Sequence, residues 1–238
     1  HWICGDLRKG DFTVYKRSDL QAVSDNELNK PYDLLKKVSN WRRFYAVINA
    51  ASVFMEKAPR TVELDRSYSE QNLKYDIAQV RALRAFAYFY MVRIWGDVPL
   101  VTYSYDNGTF PSMPRTDAQT VLSYAKAELL TAIKDLPYQY GTQTNLYYGS
   151  YGAQWQGKLF NKLSAYSVLA HICAWQGNYA EAETYSAFII DHASEINAKY
   201  TSIADLTSET GLFYSNASVK GSRILGFNFA HNDNEATQ

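Results

Sequence analysis

The segment from Pro137 to Gly157 carries side chains whose types suit ligand binding. Aromatic residues stand there among Gly, Gln, Asn, Ser and Thr, and no apolar periodicity assigns their rings to a core. These residues are Tyr138, Tyr140, Tyr147, Tyr148, Tyr151 and Trp155. An aromatic face packs against the C–H face of a pyranose, while Asn and Gln amides hydrogen-bond to its hydroxyl groups. The composition fits a sugar-binding loop, and equally a loop whose tyrosines pack back onto helices or a protein-binding surface.

Catalytic and metal-binding patterns are missing from the sequence. The four His residues are His1, His171, His192 and His231. No two of them have metal-ligand spacing on one helix, and neither a Gly-rich phosphate loop nor a Gly-x-Ser-x-Gly motif occurs. Asp6 and Asp11 are conceivable as a glycosidase carboxylate pair, but charged residues in a Gly-punctuated turn are usually solvated. We therefore expect no enzyme activity, no metal and no cofactor.

The overall composition indicates a large globular domain that does not bind nucleic acid. The 238 residues include 24 basic and 24 acidic ones, so the formal net charge is zero, and no basic run occurs. Aromatic residues make up 15%, with 20 Tyr, more than a core alone usually needs. Cys4 and Cys173 do not form a disulfide framework and leave the redox compartment open. The apolar runs are too short and too interrupted to cross a bilayer.

Helical patterns cover most of the chain. The stretch from Val80 to Trp95 is apolar almost all round, which predicts a helix buried between neighbours. Gly96 is placed to end this helix, and Ser67 or Ser69 is placed to cap its start. Further helices are predicted from Pro31, from Asn40 to the residue before Pro59, from Thr116 or Asp117 to near Leu136, and over about 158–176 and 178–193. Residues 96–116 form a connection whose length predicts a function of its own.

Two helix pairs match the tetratricopeptide pattern in phase. The matching residues are Ala125, Leu129, Ala132 and Pro137 in one repeat and Ala170, Tyr179 and Ala182 in the next. Small residues at such positions let two helices approach closely. The predicted fold class is all-α, with tetratricopeptide-like stacked hairpins over residues 1–200 and long loop insertions; the alternative is an irregular helical bundle. Residues 201–238, with a strand-like run from Ile224 to Phe229, are predicted to begin a C-terminal α/β-loop region.

The sequence also resembles the SusD/RagB family, outer-membrane nutrient-binding lipoproteins of the Bacteroidetes. The likeness is clearest over Arg81–Phe86 and Trp95–Val101. Further segments resemble the family in order: Trp41–Ala51, Arg115–Pro137, Lys158–Ala182 and Ile224–Phe229. Family members begin with a lipoprotein signal and an acylated cysteine, whereas Cys4 lacks a preceding apolar segment and is not expected to be the lipid anchor. We expect the chain to be the N-terminal half of a longer protein.

The resemblance implies a non-catalytic subunit that captures a glycan, or less often a peptide or another nutrient, at the outer membrane. Its implied partners are a SusC-like TonB-dependent transporter, on which it forms a lid, and an oligosaccharide ligand. The segment before the Trp41 helix can contribute to the family's binding face, which makes Asp6, Arg8 and Asp11 candidate contacts, with Trp2 and Tyr15 as stacking residues. Arg8 is equally open to a local ion pair of little energetic value.

The full set of predicted ligand-binding residues is Trp2, Asp6, Arg8, Asp11, Tyr15, Tyr147, Tyr148, Tyr151 and Trp155. The alternative function is a tetratricopeptide scaffold for protein partners, or a SusD-like protein that binds peptides. If Trp2, Tyr15 and the 137–157 loop share one open face, a ligand surface is favoured. A groove lined by helix positions favours the scaffold instead.

Overall fold

The computed structural model describes residues 5–106, 108, 110–140, 157–198 and 224–225. The helices within these ranges are α1 (Asp6–Lys9), α2 (Ser18–Ser24), α3 (Asp33–Val38), α4 (Arg42–Lys57), α5 (Pro59–Leu64), α6 (Glu70–Trp95), α7 (Ala118–Ala132), α8 (Lys162–Trp175) and α9 (Tyr179–Asp191), followed by a 3₁₀ turn at Ala193–Ile196. Across the same ranges, β pairing is limited to an isolated antiparallel bridge between Val98 and Thr116. The predicted all-α class is confirmed.

Helix α6 is the central element of the fold, as its apolar sequence predicts. It packs against α4 on one side and α7 on the other, and it also touches α8. Ala78, Ala82 and Ala85 are at most 2% exposed, so the neighbouring backbones approach α6 closely. The Ser69 side chain caps α6 by accepting from the Asn72 N–H at 3.1 Å, and Gly96 ends it with a φ of 71°.

Two antiparallel hairpins, α6–α7 and α8–α9, stack through a contact between α7 and α8. Each later helix begins at a polar cap: Asp117 caps α7, Asn161 caps α8 and Asn178 caps α9. The predicted stacked hairpins are thus confirmed. Tyr179 is an exception to the repeat pattern, because it is 72% exposed instead of packed between helices.

The sequence pattern misplaces or misses several short elements. Pro59 ends α4 as predicted, but it also starts α5, where the missing N–H of proline costs no hydrogen bond. Helix α7 stops at Ala132, short of the predicted end near Leu136. The predicted turn after Gly5 contains the one-turn helix α1, and α2 was not predicted.

The run Arg81–Phe86 contains charged groups that take part in the packing of α6 on α7. Glu128 of α7 accepts from Arg81 Nη1 at 2.7 Å and from Arg84 Nη2 at 2.5 Å. Arg84 is 5% exposed, and its Nη1 also donates to Ser52 Oγ at 2.9 Å. Its Nε is buried without a hydrogen-bond partner in the described part of the chain. The apolar description of this helix is therefore incomplete, since a buried charge cluster joins three helices.

No helix among the described residues is both long enough and apolar enough to cross a membrane. The predicted boundary at residue 200 and nearly all of the expected strand Ile224–Phe229 lie outside the described residues. The division into 1–200 and 201–238 stays a prediction.

Candidate functional site

Helices α1, α2 and α3 position the predicted N-terminal site residues around a small apolar core. Leu7 of α1, which is 1% exposed, packs with Ala22, Val23 and Leu35 from the next two helices. Because Leu7 points inward, its neighbour Arg8 is directed to the surface. Sequence spacing alone thus accounts for the exposure of this arginine.

Arg8 is held by a neutral partner. Its Nη2 donates to Asn26 Oδ1 at 2.6 Å, while the Asp11 carboxylate pairs with Lys9 Nζ at 3.2 Å. Within the described part of the chain, no ion pair joins Arg8 to Asp6 or Asp11. The guanidinium therefore keeps its charge uncompensated by these carboxylates and retains further N–H donors.

A cavity of about 220 Å³ lies between this N-terminal group and the end of α6. Most of its lining is aliphatic, from Val23, Leu28, Leu35, Val38 and Ile94. Trp95 adds an aromatic residue, and Arg8, Asn29 and Ser39 add polar ones. Its volume is below the roughly 300–1,000 Å³ of pockets that enclose drug-sized ligands. The cavity is therefore large enough for one small ring, which would meet a mainly apolar wall and a few polar residues.

Tyr15 does not line this cavity. Its side chain is 77% exposed, and Lys16 Nζ lies 5.0 Å from the centre of its ring. A larger, open depression of about 550 Å³ lies beside α2, and half of its lining residues are charged, among them Lys16, Arg17 and Asp25. Arg17 forms hydrogen bonds to the Asp19 carboxylate that lower the pKa of Asp19 to about 2. This second depression has the character of a solvated charged surface.

Aromatic rings in successive contact connect the cavity with the loop that follows α6. Trp95 lies 6.0 Å from Trp41, Trp41 lies 6.3 Å from Tyr45, and Tyr45 lies 6.5 Å from Phe110, all between ring centroids. The Arg115 guanidinium stacks 5.0 Å from the Trp41 ring. The Trp41, Tyr45 and Trp95 rings are half-buried, so the row runs along the surface of the helical core.

The 96–116 loop ends this row with an exposed aromatic group, which we call the loop patch: Tyr103, Tyr105 and Phe110. Tyr103 is 51% exposed and Phe110 is 57% exposed, while Tyr105 is half-buried between them. Ring centroids are 5.0 Å apart for Tyr103 and Tyr105 and 4.6 Å apart for Tyr105 and Phe110. The sequence predicted a function for this loop but did not single out these rings. The signal was available, because they are aromatic residues set among polar ones, as in the 137–157 segment.

Side chains of α4 fix the loop patch to the body. Asn49 brackets Tyr105 by accepting from its N–H at 2.7 Å and donating to its carbonyl at 2.9 Å. Glu56 accepts from the N–H of Ser104 at 2.8 Å and from its hydroxyl at 2.5 Å, and Lys57 pairs with Asp106. These contacts give an irregular segment a defined conformation.

Contacts with α6 fix the earlier part of the same loop. The buried Tyr88 hydroxyl donates to the Val101 carbonyl and accepts from the Val101 N–H, each at 2.8 Å. Burial raises the pKa of Tyr88, so this hydroxyl keeps its proton at neutral pH. Val98 and Thr116 exchange backbone hydrogen bonds of 3.2 and 3.0 Å at the base of the loop.

The described tyrosines of the 137–157 segment pack back onto helices, which is the alternative that the sequence left open. Tyr140 donates to the Phe160 carbonyl at 3.0 Å, and the Tyr138 ring is stacked 5.9 Å from the ring of His192. The other predicted aromatic contacts lie outside the described residues and stay predictions: Trp2, Tyr147, Tyr148, Tyr151 and Trp155. That Trp2, Tyr15 and this segment share one face likewise stays a prediction.

Among the described residues, no group of three or more His, Cys, Asp and Glu side chains is arranged to hold a metal ion. The arrangement instead combines aromatic rings, a guanidinium and amide or hydroxyl groups. Such groups bind a neutral polar ligand by stacking and hydrogen bonding.

No family model matches the chain. Comparisons with curated proteins and with solved structures both find SusD-like proteins. SusD-like protein P38 of Formosa agariphila is 28% identical over 185 residues, which are 76% of this chain and 31% of that protein. A solved laminarin-binding SusD-like protein is 25% identical, with a TM-score of 0.57 over 78% of this chain and 35% of its own. A SusD superfamily protein from Bacteroides vulgatus is 18% identical, with a TM-score of 0.62 over 87% of this chain and 39% of its own, which is a likeness of fold.

The chain therefore spans about a third of the length of these proteins, from 31% to 39%. The likeness in sequence and the likeness in fold both extend over most of the chain, and both lead to proteins of the same name. The resemblance to the SusD/RagB family is thus confirmed: this chain is similar, in sequence and in fold, to part of the SusD-like proteins of the Bacteroidetes.

Proposed function

We propose that the chain belongs to a non-catalytic glycan-binding subunit of an outer-membrane uptake system, in which a SusC-like TonB-dependent transporter is the partner. The observation that carries the proposal is the cavity that both Arg8 and Trp95 line. The similarity of the chain to a laminarin-binding SusD-like protein supports a glucan or a related oligosaccharide as the ligand.

The cavity supplies the two kinds of contact that a sugar ring needs. The Trp95 ring offers an apolar face to the C–H groups of a pyranose. The guanidinium of Arg8 donates one N–H to Asn26. Its other N–H groups, which have a fixed planar geometry, can donate to sugar hydroxyls. Asn29 and Ser39 add an amide and a hydroxyl to the same lining.

A scaffold for protein partners is the second candidate, and one observation favours it. The last hairpin exposes large apolar side chains, with Trp175 at 53%, Tyr179 at 72% and Ile190 at 58%. Exposed aromatic and aliphatic groups on helices are typical of protein interfaces. This surface is also compatible with contact to a transporter, so it does not compete with the glycan-binding proposal.

The test is a binding screen of the 238-residue chain against plant, host and microbial glycans, including laminarin oligosaccharides, followed by calorimetry. Hydrogen bonds from a charged donor contribute about 1.5–3 kcal/mol, so Arg8→Ala is expected to weaken binding by roughly 10- to 100-fold. Lys9→Ala is the matched control, because Lys9 is the adjacent exposed cation and does not line the cavity. It is expected to leave affinity within twofold.

Three outcomes contradict the proposal. No binding across the whole panel contradicts a glycan site within this chain and favours the protein scaffold. Equal affinities of the parent chain and Arg8→Ala remove the cavity as the site. Release of reducing ends from any bound glycan, measured on the same samples, contradicts the non-catalytic role.

A further inference from the structure

The loop patch has exposed ring faces that the packing of the helices does not require. Phe110 and Tyr103 leave more than half of their surface open, although large apolar side chains are normally placed where they bury area. The rings are tilted against one another, since the planes of Tyr103 and Tyr105 meet at 48° and those of Tyr105 and Phe110 at 57°. Their exposed faces therefore point in different directions instead of forming one flat platform.

Polar groups alternate with these rings along the loop. The Tyr105 hydroxyl donates to the Tyr103 hydroxyl at 2.7 Å, which leaves the Tyr103 hydroxyl hydrogen free to donate outward. The pKa of Tyr105 is raised to about 12 by desolvation and by this contact, so its phenol stays protonated at neutral pH. Ser104 and Asp106, which interleave with the rings, are bonded to Glu56 and Lys57 at the rim. Apolar faces edged by hydroxyls and charges suit a sugar better than a lipid or an apolar peptide.

The patch is also preorganised. Glu56 fixes the backbone of Ser104, between the two tyrosines, and Asn49 fixes the backbone of Tyr105 before any ligand arrives. Ordering a flexible loop would otherwise subtract from the binding free energy. An exposed aromatic group on a fixed loop therefore has the properties of a binding surface.

Size favours a sugar chain over a protein partner. A buried aromatic side chain covers about 150–250 Å², so three rings about half exposed offer on the order of 300 Å². A standard protein interface buries about 800 Å² on each partner. The patch alone is too small for such an interface but matches a ligand of one or two sugar rings.

The row of ring contacts from Trp95 through Trp41 and Tyr45 to Phe110 connects the patch with the cavity at Arg8. We propose that the loop patch is a second sugar-contact surface, on which the far end of a glycan stacks when its other end occupies the cavity. This inference rests on the proposed glycan-binding function and adds a site that responds to glycan length.

The test compares affinities for a length series of one glycan that binds the chain, from disaccharide to octasaccharide, by calorimetry. The double variant Tyr103→Ala/Phe110→Ala is expected to bind the longest members about tenfold more weakly and the disaccharide unchanged, the size of one lost aromatic stacking contact. Arg8→Ala is expected to weaken every length. Leu64→Ala is the matched control, because Leu64 is a 74% exposed apolar residue on α5.

Each result decides between the two hypotheses. Parent-like affinity of the double variant at every length, with Arg8→Ala still defective, overturns the second surface and leaves the proposed function standing. Equal weakening at all lengths shows that the patch acts through the cavity or the fold, which also overturns it. The variant Tyr103→Phe keeps the aromatic ring and removes only the hydroxyl. If stacking alone holds the sugar, this variant is expected to bind long glycans as tightly as the parent chain does. If the parent chain binds no member, both hypotheses fail together.

Discussion

Glu128 of α7 connects this helix to two arginines of α6. It is 8% exposed and accepts hydrogen bonds from both Arg81 and Arg84. Removing one partner of a buried ion pair leaves the other charge uncompensated, which costs about 3–5 kcal/mol. Glu128→Ala is therefore expected to lower the free energy of unfolding by that amount, measured by urea denaturation.

An exposed ion pair provides the control for this prediction. Glu27 and Lys30 are 3.6 Å apart, with about half of each side chain exposed. Glu27→Ala is expected to change stability by about 1 kcal/mol or less, since solvent screens such pairs. Similar effects of the two substitutions would show that the buried cluster contributes no more than a surface pair.

At the scale of elements, Glu181 ties α9 to α7. Its Oε2 lies 2.5 Å from Lys126 Nζ, and its Oε1 accepts from the Tyr185 hydroxyl at 3.0 Å. The hydrogen bond from Lys126 is the main cause that holds the pKa of Glu181 below its ordinary value. A depressed pKa means that this contribution is present above the unfolded-state pKa of about 4.3 and is lost as the pH falls through the folded-state pKa.

Glu181→Gln is therefore expected to be less stable than the parent chain at pH 7, and the difference is expected to shrink below about pH 4.5. Urea midpoints at pH 7, 5 and 4 measure it. Glu183→Gln, on the exposed side of the same helix, is the control and is expected to give a small difference throughout. A deficit for Glu181→Gln that stays constant with pH would rule out the ion pair as its origin.

The helices differ in how well their sequences predict them. Helices α4 and α6 to α9 run for 13 to 26 residues, with clear apolar patterns, and all but α4 begin at a polar cap whose side chain accepts a backbone hydrogen bond. Helices α1, α2 and α5 have 4 to 7 residues, too few to show a period. Short helices depend on tertiary contacts more than on propensity, and those contacts are invisible in the local sequence.

At the scale of the whole molecule, the described residues form two buried clusters of unequal size. The larger one extends over α4 and α6 to α8, whereas the smaller consists of Leu7, Ala22, Val23 and Leu35. Regions with few buried apolar contacts open at lower free energy than the rest of a domain. The N-terminal helices, and with them Arg8, are expected to open locally while the hairpins stay folded.

Native-state hydrogen exchange tests this difference. Amides of α2 are expected to exchange faster than those of α8 in the absence of denaturant. Leu7→Ala is expected to destabilise the small apolar cluster by about 2–5 kcal/mol. Amide exchange in α2 should then become faster still, while exchange in α8 stays unchanged. Exchange of both helices at one common rate would instead indicate a single cooperative unit.

The candidate site was only partly predictable from the sequence, because its geometry depends on how distant helices pack together. Arg8 and Tyr15 lie seven positions apart in the sequence, yet Arg8 lines a cavity with Trp95 and Tyr15 does not. The aromatic composition of a loop shows that rings are present but not whether they are exposed. Tyr138 and Tyr140 pack inward, whereas Tyr103 and Phe110 face solvent, because the partners that decide this come from distant helices.

The bridge between Val98 and Thr116 has a consequence for how this molecule diversifies. It joins the two ends of the loop, so the hairpin of α6 and α7 is closed regardless of what lies between them. Doubling the length of a flexible closed loop costs only about 0.6 kcal/mol. Insertions and new side chains in the exposed part of that interval, beyond the buried Val101, are therefore expected to cost the scaffold little stability. If the loop patch binds sugar as proposed, changes in this loop would alter ligand preference while the helical framework stays the same.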